Sequence, residues 1–170
     1  MAELIAYFSR AGENYFGGAL RKIQTGNTQI AAEMLQKITG AELFRIEPVL
    51  EYAEGYNECI AQAQDDQKRD ARPELKEYPD SLDAYDTVYL GYPNYWGTMP
   101  MPVFTFLEHF DFSGKVIRPF CTHEGSGMGR SETDIRKICP GAVVEKGLAV
   151  RGSAVKDAEE ELRKWSSGQE

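Results

Sequence analysis

Short, continuous apolar runs alternate along this chain with longer stretches whose apolar residues recur every three or four positions. Residues 4–8 (LIAYF) are such a run, rich in aromatic and β-branched side chains, and read as a buried strand. Further strands are predicted at 42–47, ended by Pro48, at 87–91 (TVYLG), at 115–121, and somewhere within 142–150. Between them Ile30, Ala31, Met34, Leu35 and Ile38 share one face of a helix that Asn27 or Thr28 can cap and Gly40 can end. Pro102 suits the first turn of a helix burying Val103, Phe106, Leu107 and Phe110. Ser131 with Asp134 resembles a capping box opening a helix through Ile135, Ile138 and Cys139, stopped by Pro140-Gly141. The last helix starts near Ser153, with Val155, Ala158, Leu162 and Trp165 on one face, and residues 166–170 read as a frayed tail.

Two segments lack a clear period. Residues 10–26 are rich in Gly, Asn and Thr and read as a loop. Residues 49–82 are polar, with one helix near 57–69 whose stripe of Tyr56, Ile60 and Ala63 is thin.

The resulting strand–helix alternation predicts an α/β fold: a five-stranded parallel sheet with helices on both faces, a three-layer sandwich forming a single domain over 1–170. Such sheets bind ligands at the carboxyl ends of their strands, here in the loops after the first, third and fourth.

Composition narrows the partners. The formal net charge of −8 argues against nucleic acid and against docking on anionic membranes. No stretch has the length and apolarity of a membrane span, and no signal peptide is visible ahead of the first strand. Cys59, Cys121 and Cys139 are scattered and odd in number, which disfavours a disulfide framework or a thiolate metal site and suits a reducing, cytoplasmic setting.

The three ligand-edge loops are each unusual. The first holds Ser9 and Arg10, then Thr25-Gly26-Asn27-Thr28 entering a helix. Small polar residues around a glycine at a helix start suit a phosphate, because backbone N–H groups and the helix dipole both favour an anion, and Arg10 would add charge. The second, residues 92–100, carries Tyr92, Pro93, Asn94, Tyr95, Trp96 and Gly97, whose aromatics can stack on a flat conjugated ring. The third, Thr122-His123-Glu124-Gly125-Ser126 with Gly127 and Gly129 beyond, offers many backbone donors to the polar edge of a heterocycle. His123 reads as a polar contact and His109 as a helix residue without a chemical role. Other chemistries on such a sheet fit poorly. A phosphoacceptor site needs an Asp where Tyr92-Pro93 stands, and Ser126 in E-G-S-G-M misses the G-x-S-x-G of a serine hydrolase.

Taken together, YFSR at 7–10, TGNT at 25–28, GYPNYWGTMP at 91–100 and FCTHEGSGMGRS at 120–131 resemble the flavodoxin family over essentially the whole chain. The resemblance implies a flavodoxin-like fold and noncovalent flavin mononucleotide (FMN), with Ser9, Arg10, Gly26, Asn27 and Thr28 at its phosphate. It further implies that the ring lies between the 93–97 loop and the 122–127 loop, near Trp96 or Tyr95, with Thr122, His123, Glu124 and Ser126 alongside and backbone of Asn94, Tyr95 and Gly125 at the ring edge. The cofactor then carries the chemistry, and no side chain is expected to be catalytic. Two departures from a simple flavodoxin are the insertion at 10–24 and the polar connection at 49–82. The expected roles are an NAD(P)H-dependent reductase of the quinone-reductase type or an electron carrier between redox proteins. A flavin-bearing regulatory or scaffold protein is the non-redox alternative. Monomer and homodimer are both open.

Overall fold

The computed structural model describes residues 2–168. In chain order its first half comprises β1 (Ala2–Tyr7), β2 (Gly12–Phe16), β3 (Ala19–Ile23), α1 (Asn27–Thr39), β4 (Glu42–Arg45) and α2 (Tyr56–Lys68). The second half comprises β5 (Tyr85–Pro93), α3 (Met101–His109), β6 (Val116–His123), α4 (Ser131–Ile138), β7 (Val143–Val144), β8 (Leu148–Arg151) and α5 (Glu159–Ser166).

The alternation within the apolar runs explains the layers. Leu4, Ala6 and Phe8 of the first strand and its exit, with Val88, Leu90 and Tyr92 of β5, face one core, which Val103, Phe106 and Leu107 of α3 and Ile135 of α4 complete. Ile5, Tyr7, Tyr89 and Phe120 point the other way, onto Ala31, Ala32 and Leu35 of α1 and Leu162 of α5. Strands buried on both faces read as continuous apolar runs, as these do. The sheet order is β4-β1-β5-β6, then the fifth position, with every pair parallel. The crossovers therefore depart in opposite directions from between β1 and β5, which opens a crevice at their carboxyl ends.

The fifth strand, predicted as one run, is split. β7 pairs with Val116 and Ile117, and β8 with Phe120 to His123. Pro119 lies between these two stretches and has no N–H to offer, so the ladder breaks there. The detour passes close. A Cβ on Gly147 would fall 2.4 Å from the Met128 methyl and 2.9 Å from the Pro119 carbonyl oxygen. The Gly147 N–H is satisfied by Glu132 Oε2 at 2.8 Å instead.

Residues 10–24, expected as a loop, contain the antiparallel hairpin β2–β3. Gly17 and Gly18 form its two-residue turn with φ of +63° and +92°, the left-handed conformation such hairpins need. The hairpin stands off the main sheet and docks on the segment before α2. Glu13 N–H bonds Glu54 O, and Tyr56 N–H bonds Glu13 Oε1.

Helix ends differ from expectation in three places. Gly26, rather than Asn27 or Thr28, is the N-cap of α1. The Ser131–Asp134 capping box does not form. The Ser131 hydroxyl turns inward, donating to Met128 O and accepting from Tyr92 Oη, and Asp134 accepts from Thr98. The last helix is a 3-10 turn over Gly152–Asp157 followed by α5, with the break at Ala158. Phe110, expected in the core, ends α3 half-buried, and His109 stacks on Tyr78 with centroids 3.9 Å apart. Of the tail expected at 166–170, Gln169 and Glu170 lie outside the described residues.

Candidate functional site

A cleft of about 440 Å³ opens at the carboxyl ends of β1, β5 and β6, within the range usual for small-molecule sites. Thirteen of the fifteen residues singled out in the sequence line it; Gly26 and Gly125 do not. Gly26 lies directly beneath one end. A Cβ there would sit 2.1 Å from Ser9 Oγ and 2.8 Å from Arg10 O, so only glycine lets the first loop pass this close to the start of α1.

That close passage sets up the polar end of the cleft. Ser9 Oγ accepts the N–H of Gln29 at 3.0 Å, capping α1 from the loop after β1 rather than from its own cap position. Ile30 N–H reaches Gly26 O, which leaves the N–H groups of Asn27 and Thr28 without an acceptor among the described residues. Thr28 and Thr122 join this end to the third loop through a buried hydroxyl pair at 2.7 Å. Two first-turn N–H groups, with the positive end of the helix dipole behind them, form an anion seat.

Arg10 does not serve that seat. Its guanidinium donates to Ala53 O through Nε at 3.3 Å and Nη2 at 2.9 Å, to Glu13 O at 2.5 Å, and to Glu54 O. Four of its five N–H groups are thus spent on main-chain carbonyls. Arg10 lines the cleft, but it acts as a clamp tying the hairpin to the segment before α2.

The second loop is a tight turn. Tyr95 and Thr98 exchange both backbone hydrogen bonds around Trp96 (φ 55°) and Gly97 (φ 88°), a mirror-image type I turn. A tryptophan in the left-handed region is uncommon and needs support from its surroundings. Asn94 supplies some of it, accepting Gly97 N–H at 2.9 Å and donating to Gly127 O at 2.8 Å. The indole N–H of Trp96 donates to Ile60 O at 2.8 Å and fixes the ring, 44% exposed, beside α2.

Of the other two aromatics of this loop, Tyr95 lines the cleft and Tyr92 does not. β5 runs to Pro93, so Tyr92 falls on the core face, fully buried with its hydroxyl on Ser131. The Tyr95 ring packs edge-on against Phe8 and Tyr52, and its hydroxyl meets Cys59 Sγ at 3.9 Å. The backbone N–H groups of Asn94, Tyr95 and Gly125, expected at a ring edge, are engaged by Thr122 O, Thr98 O and His123 Nδ1.

The third loop holds an unmatched acceptor. Glu124 Oε2 receives Ser153 Oγ at 3.0 Å and lies 3.7 Å from Arg151 Nη1, while Oε1 is buried with no partner among the described residues. It lies beside Gly152 and Asn27, where a Cβ on Gly152 would approach Asn27 Nδ2 to 2.4 Å. A buried carboxylate oxygen without a donor is costly, so this atom calls for a hydroxyl or N–H from a ligand.

Burial drives several titrating groups of the cleft toward their neutral forms. It raises the Tyr95, Tyr56 and Cys59 values, the last despite the opposing pull of Arg10. His123 is lowered, by burial first and by Arg151 second. Because Nδ1 accepts the Gly125 N–H, the neutral ring carries its proton on Nε2. These groups are held neutral rather than poised to exchange protons, which suits a site whose chemistry belongs to a bound cofactor.

A pH effect follows. With its value below the ordinary 6.5, folded His123 binds fewer protons than the unfolded chain as the pH falls through that window. Its contribution to stability is therefore present above about 6.5 and lost as the pH falls through the folded value. The melting temperature is expected to fall more between pH 7.5 and 5.5 in the native protein than in His123→Gln, as differential scanning fluorimetry would read; equal slopes would contradict it.

The outer wall is built from residues outside those fifteen. Asn14 and Tyr15 of the hairpin and Tyr56, Cys59, Ile60 and Ala63 of α2 all line the cleft. The signal was present in the thin stripe of α2, which proves to face the cleft rather than either core of the sheet.

A parallel five-position sheet with an anion seat, an aromatic turn and a glycine-rich loop at its switch point defines a nucleotide-cofactor class of α/β protein. The flavodoxin family model matches residues 3–168, and the chain belongs to that family. Among solved structures it is similar to a candidate flavoprotein from Bacteroides uniformis ATCC 8492, at 27% identity, TM-score 0.74, and coverage of 98% of this chain and 97% of that one. A second candidate flavoprotein, from Bacteroides eggerthii DSM 20697, aligns at 27% identity and TM-score 0.72 over 95% of this chain and 97% of that one. A flavoprotein from Lactobacillus acidophilus NCFM, solved in complex with FMN, shares the fold at 20% identity and TM-score 0.65, covering 92% of this chain and 97% of that one. No curated protein matches the chain.

Proposed function

We propose that this protein is an FMN-dependent oxidoreductase that takes electrons from a reduced nicotinamide nucleotide and delivers them to a small organic acceptor. FMN is the cofactor that membership of the flavodoxin family and the FMN-bound neighbour support. The residues of the cleft fit it. The free N–H groups of Asn27 and Thr28 suit its phosphate, the unmatched Glu124 Oε1 suits a hydroxyl of its sugar-alcohol chain, and Trp96 suits its ring. When bound, FMN supplies reversible electron uptake, which no side chain here provides.

The chain's own residues bind, orient and shield. Ser9 and Gly26 keep the start of α1 open, Thr28 and Thr122 fix the spacing between loops, and Asn94 holds the turn that presents Trp96. Arg10 holds the hairpin over the opening. The single observation favouring an enzyme is that outer wall of hairpin and α2, which covers one side of a cleft that protein-to-protein transfer would leave open. The net charge of −8 favours the second reading, a carrier steered onto a basic redox partner.

Anaerobic addition of NADPH or NADH to the FMN-loaded protein separates them. The enzyme reading expects the flavin absorbance to bleach within seconds at micromolar nucleotide, on the order of ordinary turnover rates. Absorbance that persists for hours with both nucleotides would leave the carrier reading.

A further inference from the structure

We propose that Arg45 is a positioning residue for the cofactor phosphate: from outside the cleft, its guanidinium ties the Ser9 loop to the first turn of α1 and so sets the anion seat between them. This role rests on the FMN reading of the cleft and gives the seat the cation that Arg10 does not supply.

The pattern of β4 aims the side chain. Leu43 packs against the core under α1, so by strand alternation Arg45, two positions on, turns to the same face. Arg45 stands opposite Tyr7 in the parallel register, and Ile46 N–H bonds Tyr7 O at 2.7 Å, which brings it level with the exit of β1. The guanidinium carbon sits 5.9 Å from the centre of the Tyr7 ring, a contact that steadies the fork. From there Nη1 donates to Gln29 Oε1 at 2.8 Å and Nη2 to Ser9 O at 3.2 Å. Gln29 N–H and Ser9 Oγ, 3.0 Å apart, make a second tie between the same two residues. One planar fork thus fixes both sides of the seat, a geometry that the point charge of a lysine does not reproduce.

Charge points the same way. Arg10 is the one Lys or Arg lining the cleft, and its guanidinium is committed to the carbonyls of Glu13, Ala53 and Glu54. Arg45 is only loosely offset. Its carboxylate contact among the described residues is Glu47 Oε2, 4.0 Å from Nε, and that oxygen also lies 3.7 Å from Lys76 Nζ. The Nε itself is buried with no acceptor among the described residues. A cation bonded to the first turn of a helix adds to the field that the turn's N–H groups present to an anion.

Fluorescence titration of the flavin-free full chain with FMN and with riboflavin, which lacks the phosphate, tests this. Arg45→Met is expected to weaken FMN at least about tenfold, the order of one lost charge-assisted hydrogen bond, and to leave riboflavin within about twofold. Gln29→Leu keeps the cation but removes one arm of the tie, and should weaken FMN about threefold, again sparing riboflavin. The double variant should be within about twofold of Arg45→Met, because both changes cut the same tie. Loss of both flavins together, FMN affinity within about twofold of the parent in Arg45→Met, or losses that multiply in the double variant overturns the positioning role and leaves the FMN reading standing. Should Arg45→Met fail to fold, Gln29→Leu decides alone, by a selective FMN loss or its absence. A parent that binds neither flavin fails the FMN reading first, and the positioning role falls with it.

Discussion

Replacing Gly26 with alanine is expected to cost at least about a hundredfold in FMN affinity. The reason is spatial. Gly26 has φ −63°, an angle that every residue adopts, so backbone strain is not at issue. The added carbon would lie 2.1 Å from Ser9 Oγ and 2.8 Å from Arg10 O, distances at which the two loops must separate. Ser9 would then lose the Gln29 N–H, and the start of α1 would shift from the seat its free N–H groups form. Overpacking of this kind typically costs about 1–3 kcal/mol of stability, so a lowered melting temperature should accompany the loss. Fluorescence titration of free FMN against the folded variant is the check. An affinity within about threefold of the parent would show that this end of the cleft is not the phosphate seat.

The second large effect is expected from Arg10→Gln, and it separates two roles for one residue. The sequence suggested a phosphate contact; the structure makes Arg10 the clamp of the hairpin through the carbonyls of Glu13, Ala53 and Glu54. An isolated two-stranded hairpin is marginal in water, and this one relies on its attachment to the segment before α2. Charge-assisted hydrogen bonds contribute about 1.5–3 kcal/mol each when deleted singly, and they do not add fully. Loss of the clamp should therefore lower amide-exchange protection across β2 and β3 by about 2–4 kcal/mol while protection in β1 and β5 is preserved. FMN affinity should change by less than about fivefold, because the anion seat is made of backbone groups. The opposite pattern, an intact hairpin and a lost cofactor, would restore Arg10 to the phosphate.

The contrast between those roles shows what the sequence made legible. The parallel sheet and its three ligand-edge loops were readable because each strand is buried on both faces and each loop breaks the apolar pattern with Gly, Pro or Asn. The hairpin was not. Its Gly17-Gly18 turn is a strong hairpin signal, yet the flanking segments GENYF and ALRKI carry too little apolar alternation to declare strands, since they pair with each other off the main sheet. The split of the fifth strand depends on a proline in its neighbour, which a linear pattern does not reveal. Tyr92 was read as a loop aromatic because the strand was ended at Gly91, ahead of a Pro- and Gly-rich segment, whereas β5 runs on through Tyr92 to Pro93. Arg10 beside Ser9 looked like a phosphate ligand, and only the fold brings it to the distant carbonyls it serves.

An absorbance scan from about 300 to 600 nm of the purified protein, after incubation with FMN and desalting, tests the central claim most directly, because a preformed cleft should retain its cofactor. The account predicts a retained two-banded flavin spectrum at close to one FMN per chain. A folded sample that emerges colourless would contradict it and remove FMN from the cleft between β1, β5 and β6.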